Sequence, residues 1–221
     1  MLSNITIQVN GCVYQKDPST SELGRKIIAG GIDLIDELGF EAFTFRKLGL
    51  YIHSTEASIY RYFENKYKML LYLTLWYWRW KEYKLSFALT NIDEPKERLR
   101  RAITLLTSAV REDGTFEHVN EVKLQRIVIS ESAKVYLHKD VDEINKEGVF
   151  LGYKGLVGML GNIILEINPT YRYPHMLVST ILEGAHLQRF FAVHLPRLTN
   201  VREGEDTVVD FYNDLVFKAI G

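Results

Sequence analysis

The stretch at residues 43–66, FTFRKLGLYIHSTEASIYRYFENK, constrains this chain more than any other. It reads as two short helices separated by a tight turn, the layout in which a second helix can enter a DNA major groove. Thr44 is suited to cap the first helix, because its hydroxyl can accept from an orphan backbone N–H. Leu48 and Ile52 lie four residues apart and give that helix an apolar seam, with Phe45 one turn earlier. Ser54 or Thr55 can cap a second helix whose apolar positions, Ile59 and Phe63, share one face. Thr55, Glu56, Ser58, Tyr60, Arg61 and Tyr62 are then left to project elsewhere. Hydroxyls and a guanidinium suit phosphates, and polar groups suit base edges.

The wider composition fits an almost entirely α-helical protein. The chain has 221 residues, 47% of them hydrophobic, so it can bury a substantial core. Proline is scarce and the apolar spacing is mostly helical. The single cysteine, Cys12, excludes an internal disulfide framework and suggests a reducing compartment. No basic stretch followed by an apolar run opens the chain, and the apolar stretch at residues 155–165 is too short to span a bilayer. A cytoplasmic protein without a membrane partner is expected. The net charge of −1 argues against a nonspecific polyanion binder. Through residue 70, eight bases (Lys16, Arg25, Lys26, Arg46, Lys47, Arg61, Lys66, Lys68) balance eight acids (Asp17, Glu22, Asp33, Asp36, Glu37, Glu41, Glu56, Glu64). Phosphate binding must then rest on local clustering, and Arg46, Lys47, Arg61 and Lys66 do cluster around the motif.

Along the chain, residues 1–17 read as an extended N-terminal arm, because Ile5, Ile7 and Val9 alternate like a strand without a partner. Ser19 with Glu22 matches a capping box, and the helix that follows stops at Gly39. Further helices are expected over about residues 45–52, 56–63, 65–89, 95–110, 119–137, 141–167, 174–194 and 206–219. Asp140 with Glu143 can cap the 141–167 helix, and Pro174 sits in the first turn of the next. The organisation is a three-helix DNA-binding domain at 18–66, followed by a larger helical regulatory and dimerisation domain at 67–221.

This arrangement resembles the tetracycline-repressor (TetR) family of bacterial transcriptional regulators. The residues that carry the resemblance are Ile27, Leu34 and Gly39, then Phe43-Thr44 and Leu48, then Ser58-Ile59-Tyr60-Arg61-Tyr62-Phe63-Glu64-Asn65-Lys66. It is strong across about residues 22–72 and architectural beyond them. It implies an all-α homodimer, probing successive major grooves of a palindromic double-stranded DNA operator with one recognition helix from each subunit. It also implies a C-terminal domain holding a small-molecule effector of unknown identity, whose binding releases DNA. Carried over residue by residue, Thr44, Tyr60, Tyr62 and Lys66 would contact phosphates, and Thr55, Glu56 and Ser58 would lie nearest the bases. The chain departs from the family pattern in the turn, where His53 and Ser54 replace a glycine and an apolar residue. Histidine tolerates positive φ better than most residues. Gly49 stands where alanine is common, and Glu56 would face a phosphate field unless it accepts from a cytosine amino group.

The remaining candidates divide between packing and binding. Trp76 and Trp80 share a helix face with Tyr72 and Tyr83, while Trp78 points elsewhere; core packing is favoured over pocket lining for any one ring. Glu131 and Glu183 lie in otherwise apolar helices, and with Phe150 and Tyr153 they complete a candidate ligand pocket around Trp76, Trp80 and Tyr83. Gly152, Gly155, Gly158 and Gly161 recur every three residues, which suits close helix packing. The six histidines are scattered, and none pairs at metal-ligand spacing. His186 reads as a satisfied core or interface histidine. No nucleophile elbow, carboxylate pair or phosphate loop supports catalysis, a metal or a cofactor. Leu177, Ile181 and Ala185 in one late helix, with Phe211 and Leu215 in the last, form a candidate dimer interface. The expected function is a ligand-released regulator, more readily a repressor. The alternative is a helical interaction protein that keeps the fold without sequence-specific DNA binding.

Overall fold

Short polar side chains start most helices in the computed structural model, which describes residues 7–112, 114–202 and 204–221. All regular structure among the described residues is helical. Asp17 caps a short 3-10 turn at Pro18–Thr20, and Ser21, in extended backbone, caps helix α1 (Glu22–Leu38) by accepting from the Gly24 amide. Ser21 therefore takes the role expected of Ser19, whose own amide donates to Asp17. Helix α1 stops at Gly39, as its sequence predicts. Thr44 caps α2 (Phe45–Tyr51) and Thr55 caps α3 (Glu56–Tyr60). Asn65 accepts from the Lys68 amide at the start of α4 (Lys66–Leu89). Glu94 and Pro95 open α5 (Pro95–Thr107), and Asn120 opens α6 (Glu121–Tyr136).

The continuous helix expected over residues 141–167 is broken. Helix α7 (Val141–Lys146) ends before Gly148, whose φ of +79° lies in the left-handed region, and α8 (Leu151–Ile167) begins after it. The periodicity on either side of Gly148 is helical, so apolar spacing alone hides the break. Asp140 stands at the N-cap of α7 but makes no side-chain capping bond. Helices α9 (Pro174–His194) and α10 (Thr207–Ile220) complete the chain, with Asp206 capping α10.

By contacts the chain divides into two units. One comprises the chain up to Trp80 together with Val110–Leu151, and the other Lys81–Ala109 with Gly152–Gly221. In the first unit Ile27, Ile28, Ile32, Leu48, Ile59 and Phe63 form a sealed core. Helix α4 supplies this unit with Met69, Leu70, Leu71, Tyr72, Leu73, Trp76 and Tyr77, all buried, so beyond its first turn it is enclosed on all sides. Asp33 and Asp36 of α1 meet Lys123 and Arg126 of α6; the Arg126 pair is bidentate, at 2.8 and 2.6 Å. The expected extended arm is corrected from Ile7 onward. Residues 1–6 lie outside the described residues, but Ile7 and Val13 are buried and Gly11–Val13 forms a 3-10 turn. The Gln15 amide donates to the Tyr62 carbonyl at 2.8 Å, which ties this segment to the first unit.

The second unit is a helical core built from Leu99, Ile103 and Leu106 of α5, Leu156, Leu160 and Ile164 of α8, Val178, Ile181 and Leu182 of α9, and Val208, Tyr212 and Val216 of α10. A Cβ at Gly161 would meet His175 at 2.8 Å, so this glycine serves close packing; Gly158 faces open space. Arg189 donates to the Thr107 carbonyl at 2.7 Å, satisfying a carbonyl at the end of α5, and also pairs with Asp206. Lys81 and His186 are buried here. Burial first, then the charges of Lys84 and Arg189, lowers Lys81 to about 7. Burial, with the Lys81 charge second, holds His186 down to about 3.

The His186 shift predicts an acid-side loss of stability. Above about pH 6.5 the imidazole is neutral in both folded and unfolded chains and adds no pH dependence. Below it the unfolded chain takes up a proton that the folded core refuses, so stability falls as pH drops from about 6.5 toward 3. Urea denaturation across this range should show a dependence shallower in His186→Gln than in the parent by as much as about 1.4 kcal/mol per pH unit. Parallel curves would show that this imidazole does not titrate on unfolding.

Candidate nucleic-acid interface

The helix-turn-helix is built as its sequence implies. The α2–α3 turn closes with the Ser54 amide donating to the Gly49 carbonyl at 2.8 Å, and His53 adopts φ +53°. A Cβ at Gly49 would lie 3.0 Å from the Ser54 carbonyl oxygen, which explains why a residue without a side chain stands there. Phe45, Leu48 and Ile59 are buried between the two helices. The burial leaves Thr55, Glu56, Ala57, Tyr60 and Arg61 exposed around α3, with Thr44, Arg46 and Lys47 exposed on α2 or at its cap. Ser58 is half-buried, and its hydroxyl lies 2.8 Å from that of Thr55. The Lys47 ammonium reaches the Ala42 carbonyl at 2.7 Å. Tyr60 packs edge-on against Phe45, with ring centroids 5.1 Å apart.

Two assignments made from the sequence are corrected. Tyr62 is 3% exposed, and its hydroxyl shares a 2.8 Å hydrogen bond with Ser21. It ties the end of α3 to the start of α1. Lys66 is half-buried, and its ammonium donates to the carbonyls of Phe40, Glu41 and Phe43 at 2.9, 3.1 and 3.3 Å. It also lies 4.7 Å from the centre of the Phe40 ring. Its protons are directed to the α1–α2 loop. Periodicity puts both residues near the motif but does not say which way a side chain points.

The candidate ligand-pocket residues fall in separate units. In the first unit Trp76 and Trp80 stack at 6.2 Å, Phe116 stands edge-on to Trp76, and both indoles are nearly fully buried, as core packing requires. Phe150 is buried beside Tyr136. Glu131 pairs with Lys134 at 2.6 Å, and Lys134 also reaches Glu41. In the second unit Tyr83 packs on Phe87, and Tyr153 donates to Glu183 at 2.8 Å. Burial raises the Glu183 carboxyl above its ordinary range, opposed by that hydrogen bond. Of the candidate interface residues, Ile181 and Ala185 are 2% and 1% exposed and belong to the unit's own core, while Leu177 is half-buried. Phe211 and Leu215 are 55% and 37% exposed.

Sequence reading missed a cleft of about 500 Å³ between residues 64–68 and the His138–Glu147 segment of the first unit. Tyr67 stacks on His138 there at 4.4 Å, and burial, with Asp140 second, raises its hydroxyl to about 12. No motif signals this cleft, because it joins stretches about seventy residues apart in sequence.

Residues 27–73 match the family model of bacterial regulatory proteins, tetR family. This segment, which spans α2 and α3, therefore carries the N-terminal domain of that family. Among solved structures, it is similar to AibR, determined with isovaleryl coenzyme A and operator DNA, at 17% identity and a TM-score of 0.62, covering 87% of this chain and 98% of that one. It is also similar to the fatty acid degradation regulator FadR from Bacillus halodurans, at 15% identity and a TM-score of 0.59, covering 89% and 93%. The TetR family regulator PfmR from Thermus thermophilus matches at 17% identity and a TM-score of 0.57, covering 87% and 97%. At these identities the likeness shows the fold. Among curated proteins, none matches the chain. TetR-family regulators bind DNA and are not enzymes. No helix among the described residues is long and apolar enough to cross a membrane.

The inward turn of Lys66 and Tyr62 gives both a structural role in the free chain. Lys66→Met should cost about 2 kcal/mol in urea denaturation and Tyr62→Phe about 1 kcal/mol. Neither should change the slope of log affinity for DNA against log salt. A slope reduced by about one in Lys66→Met would return that ammonium to a phosphate.

Proposed function

We propose that this chain is a homodimeric transcriptional repressor that binds a palindromic operator and is released by a small molecule. The observation that carries the DNA-reading part is the exposed rim of the helix-turn-helix. Its core residues are sealed, and what remains outside is Thr44, Arg46, Lys47, Thr55, Glu56, Tyr60 and Arg61, a set rich in phosphate and base partners. In this reading residues 18–66 recognise DNA and residues 67–221 hold the effector and the dimer contact.

Dimerisation is supported by apolar side chains that the second unit leaves outside. Phe211 and Leu215 lie four residues apart on α10, and Met176 and Leu187 of α9 are 67% and 51% exposed. Leu177 of α9 is half-buried, and Ile181 and Ala185 belong to the core of the same unit. Two such surfaces meeting about a two-fold axis would form an intersubunit helical bundle. For the effector, the half-buried Tyr153–Glu183 pair offers a hydroxyl and a carboxylate to a hydroxylated or cationic group. The effector acts by favouring a conformation in which the two recognition helices no longer match the half-site spacing. AibR, similar in fold, has been determined in complex with isovaleryl coenzyme A and operator DNA, which supports a reading with both a small-molecule and a DNA partner.

Selection of genomic fragments by the purified protein, repeated at several salt concentrations, tests this reading. A palindromic motif whose affinity falls steeply with salt is expected, and Arg61→Ala should weaken all sites alike and reduce the slope by about one. A folded protein that enriches no sequence would favour the interaction-protein alternative. The dimer contact is tested separately. Phe211→Asp with Leu215→Asp should convert the dimer to monomer in sedimentation equilibrium and weaken palindromic sites far more than half-sites. An unchanged mass would place the interface elsewhere.

A further inference from the structure

Helix α3 carries few groups able to tell one base from another. Thr55 accepts from the Ser58 amide as the helix cap, and the Thr55 and Ser58 hydroxyls bond to each other at 2.8 Å. Ala57 has no polar atom, and Arg61 follows the last residue of the helix. Glu56 is exposed, charged and in the first turn, the part of a recognition helix that meets base edges. Its carboxylate only accepts hydrogen bonds, and among phosphates it is repelled unless a donor meets it. The major groove offers two exocyclic donors, the cytosine N4 and the adenine N6 amino groups. Adenine N6 stands between two acceptors, its own N7 and O4 of the paired thymine. Cytosine N4 has an acceptor on one side only, the paired guanine O6, and a C–H on the other. A carboxylate therefore meets less repulsion at cytosine.

The placement of this carboxylate is not left to solvent. The Tyr60 hydroxyl lies 3.5 Å from Glu56 Oε1, one turn along the same face, as a long hydrogen bond in the free protein. The Tyr60 ring, 46% exposed, rests edge-on against Phe45, which is 4% exposed, so one side of the ring is anchored on the core of the motif. We infer that Glu56 selects a cytosine in each operator half-site and that Tyr60 is its positioning residue, rather than chiefly a phosphate contact. The inference rests on the DNA-reading function proposed above and adds to it the base that is read.

Sequence selection with the full-length protein and three variants tests it, after thermal unfolding has shown that each variant folds. The parent should prefer cytosine at one position of each half-site by about tenfold over other bases. In Glu56→Gln the preference should move toward adenine, because an amide can pair with N6 and N7 together. In Glu56→Ala that position should lose its preference, while the rest of the motif and the salt slope stay as they were. Tyr60→Phe should weaken binding to cytosine-containing sites several-fold and leave sites without that cytosine unchanged. An identical motif from the parent and both Glu56 variants would overturn the base assignment. Equal weakening of every site by Tyr60→Phe would make that hydroxyl a phosphate ligand and overturn its positioning role. If the parent itself enriches no sequence, the DNA-reading function fails, and this inference fails with it.

Discussion

One ammonium group organises the helix-turn-helix end of the first unit. Lys66 opens α4 and donates to three carbonyls of the loop between α1 and α2, those of Phe40, Glu41 and Phe43. A loop of this kind carries backbone acceptors that helix geometry does not satisfy. Gathering three of them onto one cation fixes where α2 begins, and Thr44 can then cap α2 from a defined place. Lys134 of α6 lies over the same Phe40 ring at 5.9 Å and bonds to Glu41 and Glu131. The loop is thereby held by cations from two helices. Tyr62 and Ser21 add a second tie, between the end of α3 and the start of α1. The surface presented by α3 depends on these inward-facing contacts more than on any residue it exposes.

The same geometry changes the meaning of the charge balance in the first seventy residues. Eight acids against eight bases suggest a reading head with no preference for phosphate. Yet Asp33 and Asp36 are paired with Lys123 and Arg126 of α6, from beyond that segment, and Glu41 with Lys134. The pairs with Asp33 and Asp36 are half-buried or bidentate, so they are screened less than freely exposed ones. Much of the acidity of α1 is neutralised within the unit, while Arg46 and Arg61 remain on the exposed rim. Clustering, rather than the sum of charges, sets the local field.

What the sequence discloses here is mostly local. The caps at Thr44 and Thr55, the stop at Gly39 and the positive φ of His53 follow from backbone chemistry within four residues, and all appear in the structure. Ser21 displaced Ser19 as the first cap because the Ser19 hydroxyl and amide both donate to Asp17, a competition among three short polar residues that spacing does not resolve. The break at Gly148 was hidden by helical periodicity on both sides. Orientation was the least legible property. Tyr60 and Tyr62 are two residues apart in a motif of aromatic residues, yet one hydroxyl faces Glu56 at the surface and the other is buried against Ser21. Likewise Ile181 and Phe211 read alike as apolar helix positions, but one closes its own unit and the other is left outside.

The small number of cations on the exposed rim bears on the homodimer proposed above. Each phosphate neutralised contributes about 0.9 to the salt slope, so in the proposed interface Arg46, Lys47 and Arg61 together would supply a slope of about three from one head. Lys47 already spends one hydrogen bond on Ala42, which reduces what it can give. Such a head gathers little nonspecific affinity, and its base contacts come from a helix of five residues. Two heads held at a fixed separation double the phosphate contacts and turn the second encounter into an intramolecular one. The separation then becomes the sensitive variable. In the proposed dimer, any event in the C-terminal helices that changes it would remove most of the affinity without touching a single DNA contact, so control would be exerted through geometry while α3 and its supports remain unchanged.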